Sequence, residues 1–155
     1  MKTIYSEQHR LRDAKTELHG GQLVTPFERP SRADTIIKAI GQSNLGNILE
    51  PETFAMDPVR AVHSDDFIAF LETAWQEWQD AGFTGEAIAS SWPARRMQSR
   101  LPDFIDGKIG YYALAAETSI TEGTWAAALA SKDVALTGAK ALYQGEQGIF
   151  SLCRP

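Results

Sequence analysis

Two apolar rhythms alternate along the chain. Short, nearly continuous runs of strand length, "KTIYS" at 2–6, "NIL" at 47–49 and "IFSLC" at 149–153, are separated by stretches in which apolar residues recur every three to four positions. The first such stretch, "SRADTIIKAIGQS", opens on Ser31 with Asp34 three residues later, a capping-box-like start, and puts Ile36, Ile37 and Ile40 on one face. The second, "HSDDFIAFLETAWQEWQDAG", is stronger. Ser64 stands as its N-cap, Asp65 and Asp66 suit the positive N-terminal end, Gly82 stops it, and Phe67, Ile68, Leu71, Ala74, Trp75 and Trp78 form an apolar stripe. Two more helical segments follow, "GKIGYYALAAETS" and "TEGTWAAALASKDVALTGAKALYQG", the latter capped by Thr121 and ending near Gly145. Strand, helix, strand, helices, strand is the order of right-handed parallel crossovers, so the pattern predicts an α/β domain with a parallel sheet flanked by helices.

Two stretches lack either rhythm. "EQHRLRDAKTELHGGQLVTPFERP" reads as a loop of about two dozen residues, and loops this long inside a compact domain are commonly binding or lid segments, or else a sign of misassigned elements. It holds His9 and His19. Its Gly20-Gly21 pair reads as a flexible turn, because no helix start follows at the distance a phosphate loop needs. "FTGEAIASSWPARRMQSRLPDFIDG" mixes aromatics, Met97, prolines and three arginines, which is the composition of interface cores. It reads as an excursion from the domain, from about Phe83 to Phe104.

Composition narrows the class without naming a function. At 155 residues, 43% apolar and 23% charged, the chain suits one globular domain, 1–155, with no apolar segment of membrane length. The N-terminus has no signal-peptide pattern and a single cysteine cannot make an internal disulfide, so a reducing cytoplasm is the expected setting. A net charge of -5 disfavours a nucleic-acid surface and mildly favours a cationic partner. The three histidines, His9, His19 and His63, fall at no metal-ligand spacing, and no HExxH, GxSxG, P-loop or GxGxxG pattern is present. His63 reads as a hydrogen-bonded structural residue before a helix, Cys153 as a small buried hydrophobe, and Trp75 and Trp78 as core. Open α/β folds place their chemistry at the carboxyl ends of strands, which directs attention to the residues after "IFSLC".

Several stretches together carry a resemblance. "YSEQHRLRDAKTELHGG", "VHSDDFIAFLETAW", "GEAIASSWPARRM", "IGYYALAAETSI", "GTWAAALAS" and "FSLCRP" resemble the N-terminal part of bacterial acetylpolyamine amidohydrolases, relatives of histone deacetylases in the three-layer arginase-deacetylase fold. "VHSDDFIAFL" marks the wider deacetylase group, while "KTEL" and "IASSWPARR" narrow it to the polyamine branch. The resemblance implies zinc-dependent hydrolysis of an acetyl amide. It also implies that "CRP" leads into a Pro-Gly-His-His segment, with the catalytic histidines and the zinc ligands all beyond Pro155 and the rest of the deacetylase domain completing the fold.

For this chain the resemblance implies substrate selection rather than chemistry. An acetylated polyamine is a flexible cation, and Glu17, Asp106 and Glu117 occupy positions where relatives place an acidic residue near a tunnel mouth. Asp106 departs from the glutamate expected there. His19 and Phe27 are expected to line the tunnel, Glu117 to lie on the helix after the insertion, and Arg154 to be a buried structural residue held by an ion pair or by hydrogen bonds. The 83–104 segment is implied to form a homodimer arm that narrows the partner's tunnel. Alternative readings are a protein-lysine deacetylase and a non-catalytic fragment or binding module.

Overall fold

A computed structural model describes residues 1–94 and 96–154; Arg95, within the expected insertion, and Pro155 lie outside the described residues. Contacts divide the chain into two compact units, one built from residues 1–13, 28–59 and 123–155, the other from 14–27 and 60–122.

The first unit holds the parallel sheet. Strands β1 (Lys2–Tyr5), β4 (Ile48–Leu49) and β5 (Ile149–Leu152) lie in the order β4-β1-β5, with Ile4 opposite Leu49 on one side and Ser151 on the other. Because side chains alternate across a strand, the two faces can be read from the register. Tyr5, Phe150 and Leu152 pack with Ala33, Ile36 and Ile37 of α1 (Pro30–Gln42). Ser151 and Ile149 face the other way, towards α5 (Thr124–Tyr143), whose backbone comes so close at Gly138 that a Cβ there would sit 2.1 Å from the Ser151 hydroxyl. A helix therefore covers each face, which is the expected three-layer α/β arrangement.

Two helix starts differ from their sequence signals. α1 begins at Pro30 with Arg29 as N-cap, two residues before the expected cap Ser31, because proline's fixed φ and missing N–H suit the first helical position. α5 begins at Thr124 after Gly123 rather than at Thr121. Gly123 has a packing reason: a Cβ there would lie 1.7 Å from the carbonyl oxygen of Leu11, at the end of a 3-10 turn spanning Glu7–Leu11.

In the second unit, α3 (Asp65–Asp80) packs on α4 (Ile105–Tyr112). A short helix, α2 (Asp57–Arg60), precedes α3. Phe70 and Ala74 of α3 meet Ile105 and Ile109 of α4, together with Ala87 and Ala89 from the segment after α3. Ser64 occupies the N-cap position of α3 without a side-chain bond to the helix backbone, and Gly82 ends the helix in the left-handed region at φ 85°.

Two stretches read as irregular are partly structured. The 7–30 loop contains the Glu7–Leu11 turn and an antiparallel hairpin, β2 (Glu17–His19) with β3 (Gln22–Val24). Gly20 and Gly21 both have positive φ, 58° and 80°, as a two-residue hairpin turn requires. The 83–104 segment is not wholly an excursion. Ala87 and Ala89 are buried, and Ala87 exchanges both backbone hydrogen bonds with Ile120. Beyond them Trp92, Met97, Leu101 and Phe104 are exposed.

Candidate functional site

The five residues expected to face substrate, Glu17, His19, Phe27, Asp106 and Glu117, all belong to the second unit. Three of them are brought together by the hairpin. Glu17 and His19 are two apart on β2 and so share a face. Phe27, three residues beyond β3, folds back so that its N–H donates to the Glu17 carboxylate at 3.1 Å. Its ring meets His19 edge-on, centroids 5.7 Å apart at 78°. Phe27 remains 63% exposed, so the pair is an open aromatic surface beside a carboxylate.

Asp106 and Glu117 sit elsewhere in the unit, Glu117 on a different element from the one expected. α4 starts at Ile105, two residues before "GKIG", which puts Asp106 in its first turn; there its carboxylate accepts the Gly107 N–H at 2.8 Å. α4 ends at Tyr112, where Ala113 turns extended at φ -81° and ψ 137°. Glu117 therefore stands exposed in a turn beyond the helix, not on it. The backbone pairing of Ile120 with Ala87 draws this stretch away from helical geometry.

Sequence reading missed Glu86. Its carboxylate accepts the backbone N–H of Lys15 at 2.6 Å, the backbone N–H of Thr16 at 2.9 Å and the Thr16 hydroxyl at 2.6 Å. The only cue in the sequence is a carboxylate in the unpatterned "TGEAIA". Tyr112 was likewise not singled out. Its ring stacks on Phe70 at 4.4 Å and its hydroxyl donates to Asp66 at 2.9 Å. Burial, and then the Asp66 acceptor, push the Tyr112 phenol up to about 12. Asp66 is held below its ordinary value by the Ser64 hydroxyl first and Tyr112 second. Exposed His63 packs its ring 5.6 Å from Phe67, in place of the hydrogen-bonded role expected for it.

In the first unit, the carboxyl ends of β1 and β5 carry a second set of polar groups. His9 is buried, with Nδ1 2.8 Å from the Ser6 carbonyl; since a carbonyl only accepts, Nδ1 carries the proton. Tyr5 donates to Glu7 at 3.0 Å and is pushed up to about 12, by burial first and by Glu7 next. Arg154 pairs with Glu28, as expected of an ion-pairing residue, but it is 72% exposed rather than buried. Cys153 is half-buried, just past the end of β5. Among the described residues no group of three or more His, Cys, Asp or Glu is arranged to hold a metal ion.

The sheet topology has counterparts among known proteins. The histone deacetylase domain family matches residues 26–155, and the chain belongs to that family, which is generally metal-dependent. The chain is 49% identical over 155 residues to the acetylpolyamine amidohydrolase of Mycoplana ramosa, covering 100% of this chain and 46% of that protein. It is 44% identical over 155 residues to acetylpolyamine amidohydrolase 2 of Pseudomonas aeruginosa, covering 45% of it. A crystal structure of acetylpolyamine aminohydrolase from Burkholderia pseudomallei matches with a TM-score of 0.85 at 28% identity, over 100% of this chain and 45% of that one. The chain thus spans about 45% of the length of these relatives and corresponds to the N-terminal portion of a histone deacetylase-like domain.

Proposed function

We propose that this chain supplies the substrate-selecting part of a zinc-dependent deacetylase that hydrolyses the acetyl amide of acetylated polyamines. The observation that carries the reading is the grouping of Glu17 with the His19 and Phe27 rings, in a chain 49% identical to a protein named acetylpolyamine amidohydrolase. A carboxylate beside an exposed aromatic edge suits a cation on a methylene stem. The carboxylate meets the ammonium, and the rings meet the apolar spacer and add a cation–π component. Asp106 and Glu117, exposed carboxylates of the same unit, add negative potential that draws a polycation from solution.

When bound, zinc would polarise the acetyl carbonyl and activate water; in this reading its ligands and the catalytic histidines come from sequence after Pro155. The exposed Trp92, Met97 and Phe104 make the later part of the 83–104 segment suitable as a homodimer arm. The proposed setting is the reducing cytoplasm, which the lone cysteine suits.

The test is Glu117→Gln in a protein carrying the complete deacetylase domain. Glutamine keeps the size and hydrogen-bonding capacity of Glu117 while removing its charge. The expected result is a fall in kcat/KM for acetylated polyamines of roughly tenfold or more, with neutral acetyl amides barely affected. Added salt should shrink the wild-type preference for the cationic substrate, because the carboxylate is exposed. Equal losses on charged and neutral substrates would mean that Glu117 supports the fold or the dimer instead.

A further inference from the structure

Glu86 lies 70 and 71 residues from the atoms it binds, yet it takes two consecutive backbone amides and a hydroxyl on one carboxylate. Hydrogen bonds to a charged acceptor are shorter and stronger than neutral ones, and three on one group leave the bound segment little freedom. The donors are Lys15 and Thr16, immediately before Glu17 and the start of β2. A rotation of the chain at Thr16 would therefore swing Glu17 and, through the Glu17–Phe27 hydrogen bond, Phe27 as well.

The residue making this grip is itself held on both sides. The Gly85 carbonyl accepts the Trp78 indole N–H at 2.7 Å, which ties the preceding residue to α3. Ala87, the following residue, is fully buried and exchanges backbone hydrogen bonds of 3.0 and 2.9 Å with Ile120. Ile120 is three residues after Glu117. One short strut thus fixes the base of the hairpin and, at its other side, the end of the turn that presents Glu117.

We propose that Glu86 is a positioning residue for substrate selection. By clamping Lys15 and Thr16 it sets the stance of the hairpin that presents Glu17, His19 and Phe27, and the Ala87–Ile120 bridge links that stance to Glu117. Glu86 does not touch the substrate. This inference rests on the polyamine reading above for the ligand, but the clamp can be tested without it.

Two variants, Glu86→Gln and the nearly isosteric Thr16→Val, are compared with the wild-type chain by residue-resolved amide hydrogen exchange. In a protein with the complete domain they are also compared by kinetics on acetylputrescine and on a neutral acetyl amide. Glu86→Gln is expected to speed exchange at Lys15 and Thr16 by about tenfold while Ala87 and Ile120 stay protected, since a charged acceptor is lost but the strut is kept. It is also expected to raise KM for acetylputrescine several-fold with kcat retained, and to leave the neutral substrate unchanged. Thr16→Val, which removes only the hydroxyl donor, should move the same quantities less and decides the matter if Glu86→Gln does not fold. Unchanged exchange at Lys15 and Thr16, or equal acceleration at Ala87 and Ile120, overturns the clamp. Loss of kcat on both substrates alike assigns Glu86 to general stability and overturns its positioning role. If the wild-type enzyme ignores acetylputrescine, the functional reading fails and the substrate half of this proposal falls with it, whereas the exchange result judges the clamp alone.

Discussion

Replacing Gly110 by alanine would put a methyl group where α4 touches the 83–104 segment backbone to backbone. A Cβ at Gly110 would lie 1.6 Å from the Ser91 carbonyl oxygen and 2.8 Å from its carbon. The two backbone segments would have to part by roughly 2 Å to restore ordinary contact, and neither side is a flexible side-chain tip that could swing away. Parting them also strains the Trp92 indole, which donates to the Ala113 carbonyl at 3.1 Å just beyond the end of α4. It would loosen Ala89 and Ile109 as well, both 1% exposed in the shared core. Overpacking of this kind costs about 1–3 kcal/mol, here at the upper end because both partners are backbone. Losing the indole hydrogen bond adds about 1 kcal/mol.

For a chain of this size each kcal/mol moves Tm by about 2–4 °C, so Gly110→Ala should lower Tm by roughly 10 °C. Gly41→Ala is the matched control. It lies in α1 with nothing within 4 Å of the added Cβ. It should raise stability by about 0.5–1 kcal/mol through helix propensity and a less flexible unfolded chain. Circular-dichroism melts of the three proteins, with tryptophan emission as a second probe, make the comparison. A Gly110→Ala protein that melts within a degree or two of wild type with unchanged emission would refute the close packing of α4 on Ser91.

Stability should fall in alkali as Tyr5 and Tyr112 ionise. Each is raised from 10.0 to about 12, so the fold favours the neutral phenol; the benefit is complete below pH 10 and is lost as pH climbs from 10 to 12. Tyr112→Phe should flatten that decline in melts taken across this window, and an unchanged slope would count against the Tyr112–Asp66 hydrogen bond. Dialysed chain should retain no stoichiometric zinc by elemental analysis, because a catalytic zinc needs about three converging protein ligands. One tightly held zinc per chain, lost on mutating His9, His19 or His63, would contradict that.

The periodic parts of the chain determined their own structure. In "FIAFLETAW" the spacing of Ile68, Leu71, Ala74 and Trp75 marks a helix, and the helix formed there with its stop at Gly82, although Phe70, nearly opposite Ile68, is buried as well. The run "IFSLC" lacks polar alternation because β5 is covered on both faces, by α1 and by α5, and such a run is legible as a strand without knowing its neighbours. Caps were less legible, since Ser31 and Thr121 have the right chemistry but Pro30 and the close approach of Gly123 to Leu11 decided where α1 and α5 begin. The candidate carboxylates Glu17, Asp106 and Glu117 were identifiable as residues, yet not as a geometry.

Whether Glu117 is on a helix or in a turn depends on Ile120 pairing with Ala87, a partner 33 residues away that no local spacing encodes. The hairpin was hidden because its strands are three residues each, too short for a period of two to show, and because its base is held by Glu86 across 70 residues. Local propensity is set by neighbours along the chain, so the presence of α1, α3, α5 and the sheet strands was legible in the sequence, while the ends of α1, α4 and α5 were not. The stance of the hairpin depends on contacts that exist only once distant segments have met, and these the tertiary structure alone decided.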